Sequence, residues 1–202
     1  DVPVFAILPG SRVSEIDYMA AVFFQTALLL LKRYPQAQFL LPVATAATRK
    51  RISEILAQPE FATLPITLTE KQSDTVCTAA DVVLVTSGTA TLEVALCKRP
   101  MVISYKISPL TYAYVKNKIK VPHVGLPNIL LGKAAVPELL QHDAVPEKLA
   151  QAVADWYDRP EAVAALEQDF HALHLLLKKD TAALAAAAVL EEAGFSDGLK
   201  DK

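Results

Sequence analysis

The sequence has few of the residues that mark several large functional classes. Its 202 residues include two cysteines, six glycines and four histidines, and the formal net charge is −2. This small charge argues against a nucleic-acid-binding protein, which needs a basic surface to face the phosphate backbone. Cys77 and Cys97 stand in apolar surroundings without metal-ligand spacing, which predicts reduced thiols. The histidines also lack zinc spacing, so the sequence predicts no metal site.

Long apolar runs and the familiar nucleotide motifs are missing as well. The apolar run from Ala27 to Leu31 falls short of a membrane span and ends at Lys32, and no other uninterrupted apolar run reaches the length of a span. The sequence contains no G-x-G-x-x-G fingerprint, no G-x-x-x-x-G-K-[ST] loop and no G-x-S-x-G nucleophile elbow. The chain begins Asp1-Val2-Pro3 and enters an apolar run almost at once, which predicts a piece of a longer protein.

What is present is a regular alternation of strand-like and helical segments. Hydrophobic residues make up 52% of the chain, enough for a packed core. Five short apolar runs have the length and composition of strands: Val4–Leu8, Phe39–Val43, Pro65–Thr69, Val82–Val85 and Pro100–Tyr105. Several lack polar alternation, as strands buried on both faces do. The pattern predicts an α/β fold with a Rossmann-like, doubly wound parallel sheet.

Beyond Lys106 the strand–helix alternation is expected to stop. A loop is predicted from Val121 to Gly132, and a C-terminal helical tail follows from about Pro146. The sequence thus predicts a sheet domain over residues 1–145 and C-terminal helices over residues 146–202. Near the N-terminus a helix is predicted from Ser14, with Ser14 and Asp17 as a capping box.

Two glycine-containing turns are candidates for a ligand site. In an open parallel sheet, ligands bind beyond the carboxyl ends of the strands. Pro9–Arg12 and Ser87–Thr89 both follow a strand and precede a helix. Such junctions present free backbone N–H groups, which suit a phosphate. For Thr89 the alternative is a simple helix cap.

Charged residues near these turns have two interpretations each. The Arg12 guanidinium can hold a phosphate through two hydrogen bonds, or it can pair with Glu15 or Asp17 on its own helix. Glu93 can accept hydrogen bonds from a ribose diol, or it can merely complement the helix dipole.

Two features nearer the C-terminus also have two interpretations each. The amide of Asn128 can bind a ligand or serve its own Pro/Gly turn. The basic segment Lys116–Lys120, with Tyr112 and Tyr114, can face anionic lipid or form a solvated helix face.

Taken together, five motifs resemble one known family, lipid-A-disaccharide synthase. They are Leu8–Arg12 followed by Glu15-Ile16, Ser87–Glu93, Ser104–Lys106, Pro109–Tyr112 and Val124–Leu130. The resemblance implies the two-lobed GT-B glycosyltransferase fold, of which this chain is similar to the C-terminal, nucleotide-binding lobe. It also implies inverting transfer of 2,3-diacylglucosamine from UDP-2,3-diacylglucosamine to 2,3-diacylglucosamine 1-phosphate (lipid X). The family needs no metal or other cofactor and works at the cytoplasmic face of the inner membrane of Gram-negative bacteria.

The resemblance also implies roles for individual residues. The diphosphate would be held by Gly10, Ser11, Arg12, Ser87, Gly88 and Thr89. Glu93 would bind the ribose, Tyr105 and Lys106 would belong to the wall around uracil, and Asn128 would lie near the reacting sugar. The general base is expected in the missing lobe, with Arg12 and Asn128 in supporting roles only. The chain alone is therefore expected to bind UDP without synthase activity, and its last helix, from Thr181, to pack on a second copy in an exchanged homodimer.

Other functions fit part of the pattern. A UDP-N-acetylglucosamine 2-epimerase, or the glycosyltransferase of peptidoglycan lipid II synthesis, would share the Ser-Gly-Thr turn and the glutamate. A non-catalytic nucleotide-binding module is a third possibility. Neither enzyme is expected to combine Tyr105-Lys106 with Pro127-Asn128-Ile129.

Overall fold

The computed structural model describes residues 2–108, 111–112 and 122–193. Its six strands are β1 Val4–Leu8, β2 Gln38–Val43, β3 Ile66–Glu70, β4 Val82–Thr86, β5 Met101–Tyr105 and β6 Glu138–Leu140. Its helices are α1 Val13–Arg33, α2 Ala46–Leu56, α3 Ser73–Ala79, α4 Ala90–Leu96, α5 Leu126–Leu131, α6 Pro146–Tyr157, α7 Pro160–Leu177 and α8 Thr181–Glu192. Short 3-10 turns cover Pro59–Phe61 and Gln141–Asp143.

The six strands form one parallel sheet in the order β3-β2-β1-β4-β5-β6. The chain builds outward from β1 to β3, then crosses back and builds outward again from β4. The reversal places β1 beside β4, with Phe5 opposite Val82 and Leu8 opposite Val85. This is the topological switch point of a doubly wound sheet, and the loops after β1 and β4 diverge there to leave a crevice.

Helices cover both faces of the sheet and make two cores. One face packs against α1, α2 and α6, with Phe5 and Ile7 of β1 pointing into it. The opposite face packs against α3, α4 and α7, with Ala6 and Leu8 pointing into it. Alternate residues of one strand thus serve opposite cores, which explains the continuous apolar runs in the sequence. The predicted α/β doubly wound fold is confirmed.

The expectation that strand–helix alternation stops after Lys106 is wrong. β6 pairs in parallel with β5, with Ile103 opposite Glu138. At three residues it is too short for its composition to indicate a strand. The predicted loop from Val121 to Gly132 is also wrong, because α5 occupies its second half. Pro127 stands in the first turn of α5, where a missing N–H costs nothing, and Gly132 ends the helix with φ +65°.

Two predictions about α1 need correction. The capping box of Ser14 and Asp17 is not formed, because the helix begins earlier. Arg12 is the N-cap residue, and Glu15 at the third helical position accepts from its backbone N–H. By length and composition α1 could also cross a membrane, although its apolar residues are interrupted by polar ones. Within an 18-residue apolar stretch of this helix 44% is buried, because one side of the helix packs against the sheet.

The C-terminal helices differ in how they are packed. α6 and α7 bury apolar residues against the two faces of the sheet, among them Val153 and Phe170. The predicted helix from Thr181 is present as α8, and it buries none of its residues. Leu184 and Val189 are 56% and 67% exposed. Most of the predicted helix from Ser108 to Ile119 lies outside the described residues, and so does the whole basic segment Lys116–Lys120.

Candidate nucleotide-binding site

A cleft of about 510 Å³ opens at the switch point, at the carboxyl ends of the strands. The turns after β1 and β4 form its two sides, so both glycine-containing turns predicted from the sequence meet in one cavity. The predicted residues that line it are Gly10, Ser11, Arg12, Ser87, Gly88, Thr89, Glu93 and Tyr105. A volume of this size suits a small-molecule ligand.

The turn after β4 presents unpaired backbone donors to the cleft. Gly88 has φ +154°, a conformation that side chains disfavour, and a Cβ built there would meet no atom within 4 Å. Within the described part of the chain, the N–H groups of Gly88, Thr89 and Ala90 have no hydrogen-bond partner. Thr89 is the N-cap residue of α4, yet its side chain makes no capping hydrogen bond. Free N–H groups at a strand-to-helix turn favour an anion.

The turn after β1 is already occupied by a carboxylate of the chain itself. Glu15 Oε2 accepts from the backbone N–H groups of Ser11 and Arg12, at 2.9 and 3.2 Å. Gly10 has φ +131°, and a Cβ there would lie 2.5 Å from Glu15 Cβ, so only glycine lets this side chain approach. In the turn after β1, the amides of Ser11 and Arg12 are therefore engaged by the chain itself.

Arg12 combines both of its predicted interpretations. Its Nη1 donates to Glu15 Oε1 at 2.7 Å, while the side chain remains 77% exposed and lines the cleft. An exposed pair of this kind contributes little to stability, so the guanidinium can exchange its partner at small cost. Glu93 lines the same cleft from the first turn of α4. A cation, a carboxylate and free amides thus share one cavity.

Two predicted site residues lie apart from this cleft. Lys106 lines a neighbouring cavity of about 300 Å³, which shares Glu15 and Tyr105 with the first. Asn128 is fully buried, and its amide is consumed by internal hydrogen bonds. It donates to Val136 O at 2.8 Å and to Glu138 Oε1 at 2.7 Å, and it accepts from Val136 N at 2.9 Å. These partners lie outside its own turn, so the amide links α5 to the segment before β6 and to Glu138.

The cleft also contains residues that the sequence did not single out. Lys71 and Ser73 line it from the loop after β3, and Glu15 lines it from α1. Lys71 has φ +51°, which is uncommon for a residue with a side chain. This loop lies at the carboxyl end of a strand, where ligands of an open parallel sheet bind, and its lysine was the available signal.

Solved structures of similar fold define the class of protein. The chain superposes on sucrose-phosphate synthase from Thermosynechococcus elongatus with a TM-score of 0.61 at 17% identity, covering 98% of this chain and 47% of that one. It also superposes on UDP-GlcNAc 2-epimerase from Neisseria meningitidis, solved with UDP-GlcNAc bound, with a TM-score of 0.54 at 14% identity over 89% and 45%. At such identities the likeness concerns the fold alone. That fold is one Rossmann-like lobe of the GT-B class.

Sequence comparison identifies the family within this class. The family model for lipid-A-disaccharide synthetase matches residues 1–191, and the chain belongs to that family. It is 82% identical to lipid-A-disaccharide synthase of Neisseria meningitidis serogroup A over 193 residues, which is 96% of this chain and 50% of the relative. Identity to the synthase of Chromobacterium violaceum is 56%, over 95% and 50%. The chain thus spans about half the length of the curated relatives it matches.

Proposed function

We propose that this chain is the donor-binding lobe of a lipid-A-disaccharide synthase. In this role it binds the UDP part of UDP-2,3-diacylglucosamine, and lipid X is the acceptor. The observation that carries the proposal is the cleft at the switch point, which is lined by Arg12 and by Gly88, Thr89 and Ala90, whose N–H groups have no partner among the described residues. Family membership supports the particular nucleotide and sugar.

The cleft has a suitable partner for each part of the nucleotide. The diphosphate fits the free amides after β4, and the exposed guanidinium of Arg12 adds charge-assisted hydrogen bonds. Glu93 supplies carboxylate oxygens that accept from the two ribose hydroxyls. Tyr105 contributes an aromatic wall beside the uracil. In this arrangement residues 1–145 bind the donor, and among the C-terminal helices α6 and α7 support the sheet.

The complete reaction needs more than this site. An inverting sugar transfer requires a base for the acceptor hydroxyl and stabilisation of the departing UDP. Arg12 and the amides after β4 serve the second requirement. We place the base in the half of the relatives that this chain does not span. The chain alone therefore binds UDP and forms no disaccharide.

Calorimetric titration of UDP into the chain tests the site. Arg12→Ala and Glu93→Ala should each raise the Kd about tenfold or more, because each removes a hydrogen-bonding partner of a charged or diol group. Arg159→Ala and Glu167→Ala are matched controls, since both residues are exposed outside the cleft. Wild-type affinity in both cleft variants would refute the site. No binding to the wild type would refute the proposed function itself.

Two further parts of the proposal concern assembly. The family's lipid substrates imply work at the cytoplasmic side of the inner membrane, which vesicle flotation of the chain would test. α8 has an unpacked apolar side that includes Leu184 and Val189, and we assign it to exchange with a second copy. Light scattering tests this point: a dimer that Leu184→Glu dissociates is expected, and a monomeric wild type would contradict it.

A further inference from the structure

The turn after β4 is held in place by the segment that precedes α5. Ser87 Oγ donates to the backbone carbonyl of Val124 at 3.1 Å. The backbone N–H of Ser87 donates to Ser104 O, at the end of β5, at 3.3 Å. Ser87 directly precedes the free amides of Gly88 and Thr89. Ser87 thus connects the turn that carries these amides to Val124.

A single carboxylate fixes Val124. Glu138, the first residue of β6, accepts from the N–H of Val124 with Oε2 at 2.8 Å and from the N–H of Gly125 with Oε1 at 3.1 Å. Its side chain is only 10% exposed. Hydrogen bonds to a sheltered carboxylate are among the stronger ones in proteins.

Asn128 completes the arrangement from the first turn of α5. Its Nδ2 donates to Glu138 Oε1 at 2.7 Å, and its other amide bonds go to the backbone of Val136, just before β6. The buried amide therefore orients the carboxylate. His123 approaches the same oxygen, with Nδ1 at 3.9 Å.

The close approach around Gly125 shows how tightly the segment is seated. A Cβ at Gly125 would lie 2.3 Å from Ile103 Cδ1 and 3.1 Å from Glu138 Oε1. The neighbouring Ser104 is fully buried and donates from Oγ to Leu139 O at 2.7 Å, which ties β5 to β6 beside Glu138. Little room is left for Val124 to move while Glu138 stays in place.

We infer that Glu138 is a positioning residue for nucleotide binding, acting through Val124 and Ser87 on the amides that receive the diphosphate. The inference rests on the proposed function, because it assumes that these amides bind UDP. It goes beyond that function by assigning a role to a carboxylate that lies outside the cleft. Asn128 acts in the same way, by orienting Glu138 instead of contacting the sugar nucleotide.

Glu138→Gln is the test, because glutamine keeps the shape of the side chain. Its amide can accept with only one of the two terminal atoms, so at least one N–H of the 124–125 pair loses its acceptor. The Kd for UDP should rise about tenfold, the effect expected for one lost hydrogen bond to a charged group. In proton–nitrogen correlation spectra the amide signals of Gly88 and Thr89 should shift. A merely structural role would not move these two signals.

Asp158→Asn is the matched control. Asp158 accepts from Tyr34 Oη at 2.8 Å, and Tyr34, which follows α1, packs against Phe5 of β1 outside the cleft. This variant should lose stability in urea unfolding while its Kd stays within about twofold of wild type, as expected for sites without shared partners. If Glu138→Gln also destabilises the chain but leaves the Kd unchanged, the inference is refuted.

A double-mutant cycle tests whether Glu138 acts on the amides through Ser87. Ser87→Ala removes the hydrogen bond to Val124, so Glu138→Gln should add little further loss of affinity in that background. A full additional tenfold loss would refute transmission through Ser87. If the wild-type chain fails to bind UDP at all, the proposed function fails first. If the wild type binds and Glu138→Gln binds equally well, only the inference about Glu138 fails.

Discussion

Replacing Gly88 with alanine perturbs the backbone of the turn after β4 and little else. An alanine Cβ would meet no atom within 4 Å, so the substitution creates no steric clash. The cost comes from φ +154°, a conformation that glycine adopts freely and alanine does not. Gly88 therefore offers a clean test of whether the shape of this turn matters for UDP.

The expected magnitudes follow from this geometry. Holding a non-glycine residue in such a conformation costs on the order of 1–3 kcal/mol, so the free energy of unfolding should fall by about that amount. If the turn relaxes instead, the amides of Gly88 and Thr89 turn away from the cleft. Losing one amide hydrogen bond to a phosphate corresponds to about a tenfold rise in the Kd for UDP.

Gly132→Ala provides the matched control. Gly132 also has positive φ, +65°, and also leaves open space for a Cβ, but it ends α5 away from the cleft. Urea unfolding and UDP calorimetry on both variants should show a stability loss in each and an affinity loss only for Gly88→Ala. Equal UDP affinity in the two variants would refute the role given to the turn.

Other expected outcomes concern the cores and the ionisable groups they contain. Burial and the hydrogen bond to Asp158 raise the pKa of Tyr34 to about 12. Because the folded state holds this proton more tightly, the tyrosine contributes stability in full below about pH 10, and this contribution is lost as pH rises towards 12. Tyr34→Phe should therefore flatten a plot of unfolding free energy against pH over this range. Burial raises the pKa of the Cys77 thiol to about 12, so a disulfide reagent should modify the half-buried Cys97 first. Equal rates of modification of the two thiols would contradict the packing around Cys77. Phe170→Ala should lower the free energy of unfolding by about 3–5 kcal/mol in urea titration, and a loss below about 1 kcal/mol would contradict the burial of its ring.

The parts of the site that follow from sequence are those governed by local rules. A glycine between a strand and a helix predicts a turn, and the parallel sheet then brings the carboxyl ends of β1 and β4 together. Gly10–Arg12 and Ser87–Thr89 meet in the cleft for this reason. The two-sided cores follow from continuous apolar runs such as Val82–Val85.

What sequence reasoning missed depends on contacts between distant segments. β6 exists because Glu138–Leu140 finds an open edge beside β5, and its three residues have no pattern of their own. Asn128 appeared to be a loop residue because Pro127 suggested a turn, whereas the proline begins α5. Glu138 accepts hydrogen bonds from the N–H groups of Val124 and Gly125, which lie more than ten positions away in the sequence. Only the fold brings these residues together.

The same limit applies nearer the cleft. The capping-box pattern predicted Ser14 and Asp17 as partners, but α1 begins one residue before Ser14, and Glu15 is the partner of Arg12. The Glu15 side chain fits beside the turn because Gly10 has no Cβ to block it.

A crystal structure of the chain with UDP would test the central claim most directly. The diphosphate should lie within hydrogen-bonding distance of the N–H groups of Gly88, Thr89 and Ala90, with Arg12 turned from Glu15 towards a phosphate oxygen and Glu93 on the ribose. UDP bound outside the cleft between β1 and β4, or bound there with these amides still unpaired, would contradict it.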